Sequence, residues 1–316
     1  MNPILLTALA PVILLVAVGW FAGRRGWIGA GSVRDLSNLV FYVMAPAMLF
    51  RALATSHLGD FDLRSIGAYF AAAILLFFGV VFTRGRDRRA TVLGLAAVFS
   101  NTLMIGLPLV TLAFGQAGSV LLMALISLHA IVLLVLATLV LEFMVIREQA
   151  RAGQPSPRNV AQTVLLVLRN AIIHPIPLPI IAGMLYSLTG WGLAPLVDQT
   201  LALVGSAFAP LALLLVGVTL AHNPVGAQLR EALGLSVLKC FVHPLLMFAI
   251  GWALGLRGMA LGVMTVTAAL PMGANVFLFS QRYQVAEGVV TASVVVSSAL
   301  SVVSVSLVLA LLPLLN

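Results

Sequence analysis

Ten long apolar segments follow one another along the chain, and only short polar stretches separate them. The segments lie near residues 4–22, 36–55, 64–83, 90–114, 118–144, 170–189, 196–220, 231–254, 258–281 and 286–313. A helix needs about 20 apolar residues to cross the hydrocarbon core of a bilayer. Charged residues make up 8% of the chain, about a third of the roughly 25% typical of soluble domains. We therefore predict an all-α integral membrane protein with ten transmembrane helices, called spans 1 to 10 below.

Basic residues are concentrated on one side of this predicted topology. Of the 17 Lys and Arg residues, three (Arg51, Arg64 and Arg257) follow even-numbered spans. The others lie in or beside the loops after odd-numbered spans, at Arg24, Arg25, Arg34, Arg84, Arg86, Arg88, Arg89, Arg147, Arg151, Arg158, Arg169, Arg230, Lys239 and Arg282. Cytoplasmic loops carry the excess of Lys and Arg. We therefore predict a protein of the cytoplasmic (inner) membrane with both termini on the extracytoplasmic side. The net charge of +8 is then a topology signal, and nucleic acid is not expected as a partner.

The two halves of the chain share prolines and glycines at a nearly constant offset. Residues 164 apart match at Pro11 and Pro175, Gly19 and Gly183, Ala45 and Ala209, and Pro46 and Pro210, and Pro108 and Pro271 are 163 apart. Each half contains five spans, an odd number, so the second half would enter the membrane upside down. We predict two inverted five-helix repeats, 1–146 and 160–316, joined by a polar cytoplasmic linker at 147–159. Inverted repeats are typical of secondary transporters.

Spans 4 and 9 each contain a proline inside an apolar run. Span 4 includes "SNTLMIGLP" (100–108), and span 9 includes "TAALPMGANVFLFSQRY" (267–283). Proline in a helix interior removes a backbone donor and clashes with the carbonyl four residues earlier, which predicts two helices broken at mid-membrane. Half-helix ends carry partial charges and free N–H groups that suit a carboxylate. The predicted substrate site consists of Asn101, Thr102, Gly106, Pro108, Pro271 and Asn275. The alternative is that the two prolines only kink packed helices.

Several motifs resemble those of the auxin efflux carrier family, and the resemblance covers essentially the whole chain. "NTLMIGLP" and "ALPMGANVFLFSQRY" are similar to its helix-4 and helix-9 crossovers, "YVMAPAMLFRAL" to its second helix, and "LKCFVHPLL" to its eighth. The resemblance implies the fold of bile-acid symporters and sodium/proton antiporters. Spans 1, 2, 6 and 7 would form a scaffold, which could also hold a homodimer together. Spans 3–5 and 8–10 would form a transport domain that moves as an elevator.

The same resemblance implies the kind of substrate. Members export auxin in plants, or carry malonate, malate and similar organic anions in bacteria. The linker at 147–159 is short, which favours a carrier of the bacterial type.

Two ionisable residues inside the spans are further candidates. The resemblance places a polar, substrate-facing residue at His129 in span 5, and an ionisable group inside a membrane is costly enough to suggest a function. A histidine there could also carry a proton. The other interpretation is a structural histidine bonded to a neighbouring helix. Lys239, about two turns inside span 8, either compensates charge in the interior or extends its ammonium group to the cytoplasm.

Missing residues narrow the function further. Span 9 has no acidic residue from Gly258 to Arg282, where bile-acid-type sodium symporters use one, so sodium coupling is the disfavoured alternative. The sequence contains no zinc-protease, nucleophile-elbow or P-loop motif. One cysteine, Cys240, excludes a disulfide within the chain and a cysteine-based metal cluster. We expect a non-enzymatic carrier without cofactor or metal, whose partners are a small organic anion and the lipid bilayer. A channel-like pore and an intramembrane enzyme are the remaining alternatives.

Overall fold

A computed structural model describes residues 10–55, 62–151, 177–222, 228–273 and 275–311. These residues are nearly all helical, and no β-strand occurs among them beyond one isolated bridge. The α-helices are α1 (Ala10–Arg24), α2 (Ala30–Leu39), α3 (Ala45–Ala54), α4 (Leu63–Thr83), α5 (Arg88–Val98), α6 (Leu107–Arg151), α7 (Pro177–Leu188), α8 (Pro195–Ser206), α9 (Phe208–His222), α10 (Leu229–Val237), α11 (His243–Ala253), α12 (Gly258–Ala269), α13 (Asn275–Tyr283) and α14 (Glu287–Leu311). The predicted all-α class is confirmed.

Six helical stretches in the described part of the chain are long and apolar enough to cross a membrane. They are Gly31–Ala54, Leu63–Thr83, Thr102–Glu148, Pro195–His222, Leu229–Ala253 and Glu287–Leu311. Three shorter apolar helices accompany them, at Ala10–Arg24, Leu178–Leu188 and Gly258–Ala269. The protein is therefore a multi-pass membrane protein, and the number of ten crossings stays a prediction.

Helix α6 joins the end of span 4 to span 5. It changes direction at Gly115, whose φ of 69° and ψ of −162° are not helical. Glycine adopts such a positive φ without the strain that a Cβ would cause. The helix is described as far as Arg151, past the predicted start of the linker at 147. Residues 152–176, which include the rest of the linker and the first part of span 6, lie outside the described residues.

Within the described residues, three wide π-helical turns interrupt the helices, and each directly precedes a leucine, alanine or histidine followed by proline. The turns are Val40–Met44, Thr102–Gly106 and Leu238–Val242. The prolines that follow are Pro46, Pro108 and Pro244. A proline cannot donate to the carbonyl four residues earlier and crowds it, whereas a π turn bonds over five residues and moves that carbonyl away. At these three positions the helix therefore continues through the proline.

Glycines allow two pairs of helices to approach closely. Helix α1 packs along α9, and a Cβ built on Gly19 would overlap the carbonyl oxygen of Leu214. Helix α7 packs along α3, and a Cβ on Gly183 would lie 2.6 Å from the carbonyl oxygen of Phe50. Small residues at helix contacts let membrane helices approach to backbone distance. Helices α1, α3, α7 and α9, with α8 against α3, thus form one packed group.

The second packed group surrounds α12. Helix α12 contacts α4, α6, α11 and α14, while α10 packs along α14 and α4 along α5. Fully buried alanines, among them Ala72 and Ala268, bring these helices together. An ion pair between Arg89 of α5 and Glu231 of α10, with N and O 2.7 Å apart, joins two helices of this group at their ends.

Candidate functional site

The chain leaves helical conformation at two places that meet in space. Helix α5 ends at Val98 and α12 ends at Ala269, and the residue after each end adopts or begins an extended path. The N–H of Asn101 donates to the carbonyl oxygen of Pro271 at 2.8 Å, and the N–H of Gly273 donates to that of Phe99 at 2.9 Å. Backbone groups without water must be satisfied internally, and this short antiparallel pairing does so for both interruptions. We call it the crossing.

A helix begins on the far side of each interruption. The π turn that leads into α6 starts at Thr102, and the side-chain oxygen of Asn101 accepts a hydrogen bond from the N–H of Met104 at 3.3 Å, which caps it. Helix α13 starts at Asn275. The N-terminus of a helix carries a partial positive charge and free N–H groups, so two such ends lie beside the crossing.

Lys239 lies at the opposite, C-terminal end of α12. Its side chain is fully buried, and its ammonium group donates to the carbonyl oxygens of Ala268 at 2.6 Å and Leu270 at 2.7 Å. A cation at a helix C-terminus is favourable. In this structure the ammonium group therefore lies in the interior and does not extend to the cytoplasm.

A cavity of about 90 Å³ opens next to the crossing. It brings together four of the predicted site residues, Asn101, Thr102, His129 and Asn275. The rest of its lining is largely apolar and comes from α6, from the π turn before α6, from the crossing and from Phe41. No Asp, Glu, Lys or Arg lines the cavity within the described chain.

Three other predicted site residues lie elsewhere. Gly106 packs against the side chain of Leu270, to which a Cβ would come within 2.5 Å. Pro271 contributes its carbonyl oxygen to the crossing rather than a wall of the cavity. Pro108 lines a separate cavity of about 340 Å³ between α6 and the group that contains α1, α3, α8 and α9.

The prediction that Pro108 breaks span 4 is wrong in its position. The interruption lies at Phe99 to Asn101, before the π turn, and Pro108 is the second residue of the helix that follows. The π turn relieves the clash that a proline would cause in a regular helix. The two interrupted segments pair in the crossing with Ser100 opposite Met272, and Pro108 takes no part in that pairing.

His129 is bonded to a residue that the sequence did not single out. Its Nε2 lies 3.2 Å from the hydroxyl of Tyr69, which lies 3.0 Å from the hydroxyl of Ser100. All three side chains are buried, with His129 only 2% exposed. The ring of Phe99 lies 4.6 Å from the His129 ring. Tyr69 thus connects the histidine of α6 to the crossing, and the only signal in the sequence was a tyrosine within an apolar span.

His243, beside Lys239 in sequence, is not part of the cavity lining. Its ring lies 5.4 Å from the ring of Tyr69. The side chain is fully buried, and neither ring nitrogen has a hydrogen-bond partner within the described part of the chain.

Apolar membrane helices, an interruption in each of two of them and a cavity with a few polar groups where they meet are typical of one class, the membrane transporters. The chain belongs to the membrane transport protein family, whose model matches residues 4–309, and which includes the auxin efflux carriers. The resemblance inferred from the sequence motifs is confirmed.

Curated relatives agree with this assignment over most of their length. "Putative malonate transporter" of Rhizobium meliloti (strain 1021) is 26% identical over 94% of this chain and 92% of its own. An uncharacterized transporter of Methanothermobacter thermautotrophicus is 24% identical over 94% of both chains. Auxin efflux carrier component 8 of Arabidopsis thaliana is 20% identical over 87% of this chain and 84% of its own.

Proposed function

We propose that the protein is a secondary carrier of small organic anions and binds them in the cavity beside the crossing. The observation that carries this proposal is the convergence of two helix N-termini with Asn101, Thr102, His129 and Asn275 on a space that no acidic side chain of the described residues lines. Amide and hydroxyl donors next to positive helix ends stabilise a carboxylate. The same surroundings offer little to a cationic substrate.

We also propose that the two halves are inverted repeats. The helix contacts support this symmetry, since Gly19 faces the carbonyl of Leu214 and Gly183 faces that of Phe50. Gly183 lies 164 residues after Gly19, and Leu214 lies 164 residues after Phe50. The first helix of each repeat therefore contacts the second helix of the other repeat at equivalent positions. Two unrelated halves would not be expected to share both the glycine and the residue that it contacts.

We propose an elevator mechanism in which the group around α12 moves against α1, α3 and α7–α9. The packing supports it, because the two groups meet at loosely filled surfaces. A cavity of about 330 Å³ separates α1 and α9 from α14, and the cavity at Pro108 lies on the same boundary. Packed interiors do not slide, whereas a poorly filled boundary costs less to rearrange. The homodimer through the first group stays a proposal.

The names of the relatives suggest two kinds of substrate, a dicarboxylate such as malonate and an auxin-like carboxylate. The function is tested with purified protein in liposomes loaded with unlabelled acid, by the uptake of the same labelled acid. A carrier should show saturable counterflow that needs no sodium gradient and returns the substrate chemically unchanged. A strict need for sodium would favour the symporter alternative, linear uptake without counterflow a pore, and a converted substrate an enzyme.

The proposed topology predicts opposite accessibility for two engineered cysteines. Cysteine at Ala152, in the predicted linker, should react from the cytoplasm, whereas cysteine at Gly59, between spans 2 and 3, should react from outside. The native Cys240 is buried, so background labelling should be low. Labelling with a membrane-impermeant maleimide, in cells and in inverted vesicles, measures this. If both positions react from one side, the odd number of spans per half and the inverted repeat are excluded.

A further inference from the structure

A groove runs along the surface of the second packed group of helices, between α11 and α14. Its cavity has a volume of about 560 Å³. Three of its lining leucines are exposed, Leu245 at 67%, Leu307 at 50% and Leu311 at 44%. Both helices belong to stretches that are able to cross a membrane, so the groove opens toward the hydrocarbon of the bilayer. We call it the outer groove, and its side walls are Phe241, Leu245, Phe248, Leu307, Val308 and Leu311.

The floor of the outer groove offers little to a polar occupant. Cys240, Thr265 and Ser304 line it, and each already donates to a backbone carbonyl oxygen, at 3.5, 2.7 and 3.0 Å respectively. Cavities lined by hydrocarbon stay free of water. A hydrocarbon chain is therefore the occupant that this lining matches.

Two aromatic rings lead from the outer groove to a cation. Phe248 and Trp252 lie one turn apart on α11, with ring centroids 5.8 Å apart. The guanidinium carbon of Arg257 lies 3.7 Å from the centroid of the Trp252 ring. Tryptophan is enriched where a membrane protein meets the membrane–water interface. At this end the outer groove thus reaches a positive charge at the level of the lipid headgroups.

A second arginine lies at the same end of α11. A guanidinium nitrogen of Arg64, from α4, lies 3.3 Å from the position that a Cβ on Gly255 would take, in the turn between α11 and α12. Neither Arg64 nor Arg257 takes part in the two ion pairs of the described residues. The acid closest to Arg64 in sequence, Asp62, caps α4 by accepting from the N–H groups of Arg64 and Ser65. Two exposed cations are thus available to an anion here.

We propose that an anionic phospholipid binds at this place, with its phosphate at Arg64 and Arg257 and one acyl chain in the outer groove. Twelve residues separate Cys240 on the floor from Trp252 at the headgroup end, about 18 Å at 1.5 Å per residue. The hydrocarbon core of a bilayer is about 30 Å thick, so the outer groove has roughly the depth of one leaflet. Charge at one end and hydrocarbon over the depth of a leaflet together match a phospholipid.

An occupied groove should stabilise the folded protein. Ser304 on the floor donates to the carbonyl oxygen of Ala269, the last residue of α12 before the crossing. An acyl chain packed against this floor therefore supports the end of α12. A ligand that binds only the folded state also raises its melting temperature by mass action.

The test titrates delipidated protein in detergent with dioleoyl phosphatidylglycerol and, separately, with dioleoyl phosphatidylcholine. The two lipids share their acyl chains and phosphate and differ in the net charge of the headgroup. Affinity is obtained from the rise in melting temperature with lipid concentration. One basic residue near the headgroups favours an anionic lipid about fivefold, so phosphatidylglycerol should bind at least about fivefold more tightly. Equal affinities, or an equal rise with inorganic phosphate alone, would overturn the proposal.

Leu307→Trp tests whether the acyl chain lies in the outer groove. The larger side chain takes up part of the groove, and each methylene kept out of it weakens binding about fourfold. The affinity for both lipids should fall at least about tenfold, while the preference for phosphatidylglycerol stays. Leu75→Trp, at a residue of α4 that is 57% exposed and outside the groove, is the matched control and should bind as the wild type does. Wild-type affinity in Leu307→Trp would place the lipid elsewhere and overturn the proposal.

Arg257→Gln and Arg64→Gln test the headgroup end separately. Each should lower the preference for phosphatidylglycerol over phosphatidylcholine about fivefold. Arg257 also donates to two carbonyl oxygens of its own turn, so Arg64→Gln keeps the test decisive if Arg257→Gln does not fold. Arg86→Gln, beyond the opposite end of α4 and likewise over an aromatic ring, that of Phe82, is the control and should keep the full preference. An unchanged preference in folded Arg64→Gln would overturn the proposal.

Discussion

Asn101→Asp should weaken binding of the transported anion by about 10- to 100-fold while the protein stays folded. The side-chain oxygen of Asn101 caps the turn that leads into α6 through the N–H of Met104, and Asp keeps that acceptor. The substitution replaces the amide donor with a negative charge inside a site proposed to hold an anion. A hydrogen bond to a charged group contributes about 1.5–3 kcal/mol, which corresponds to the stated loss, and charge repulsion adds to it. Isothermal titration or ligand-induced thermal stabilisation measures the effect.

Matched variants separate binding from folding in this experiment. Asn101→Ala also removes the cap, at a cost of about 1 kcal/mol in stability, so Asp is the sharper substitution. Asn275→Ala should weaken anion binding and leave the hydrogen bond between Asn101 and the N–H of Met104 in place. Asn38→Ala, on the exposed face of α2, is the control and should bind as the wild type does. Binding of wild-type strength in Asn101→Asp would mean that this amide is not part of the site and that the cavity is a packing defect.

The position of the interruption in span 9 was predictable from its residues, and the position of the interruption in span 4 was not. Pro271 lies in the extended segment itself, where its fixed φ and missing N–H oppose a helix. In span 4 the non-helical residues are Phe99, Ser100 and Asn101, none of which forbids a helix. Their conformation is stabilised by pairing with the chain at 271–273, a contact between residues far apart in sequence. Local propensity cannot report such a contact.

The hydrogen bonds around His129 could be predicted only in part, for the same reason. Its place inside an apolar span marked it as a candidate, and the structure brings it into the cavity with Asn101, Thr102 and Asn275. Tyr69 could not be assigned as its partner, because α4 and α6 are separated by 60 residues at that contact. For Lys239 the sequence left two positions open for the ammonium group, the interior and the cytoplasmic side. Only its hydrogen bonds to the carbonyl oxygens of Ala268 and Leu270 place it in the interior.

Gly19→Ala and Gly183→Ala should each destabilise the protein strongly, although each adds a single methyl group. The added Cβ would overlap the backbone carbonyl of Leu214 in one case and lie 2.6 Å from that of Phe50 in the other. A flexible side chain could rotate away, but a carbonyl in a helix moves only with its helix. Overpacking of this kind costs typically about 1–3 kcal/mol, occasionally more, and both helix pairs should fall at or above the upper part of that range. The temperature at which purified protein in detergent loses its monodisperse peak measures the change.

Gly79→Ala is the matched control, because Gly79 lies within α4 and no described side chain or neighbouring helix lies within 4 Å of its would-be Cβ. Ala is a better helix former than Gly by about 0.8–1 kcal/mol, so this variant should be as stable as the wild type or more so. The size of the two harmful effects also tests the symmetry. If the halves are inverted repeats, the Gly19 and Gly183 contacts are the same contact made twice, and losses of similar size are expected. A harmless Gly183→Ala beside a damaging Gly19→Ala would mean that the 164-residue offset relates the sequences but not the packing, and the proposed inverted repeat would lose its structural support.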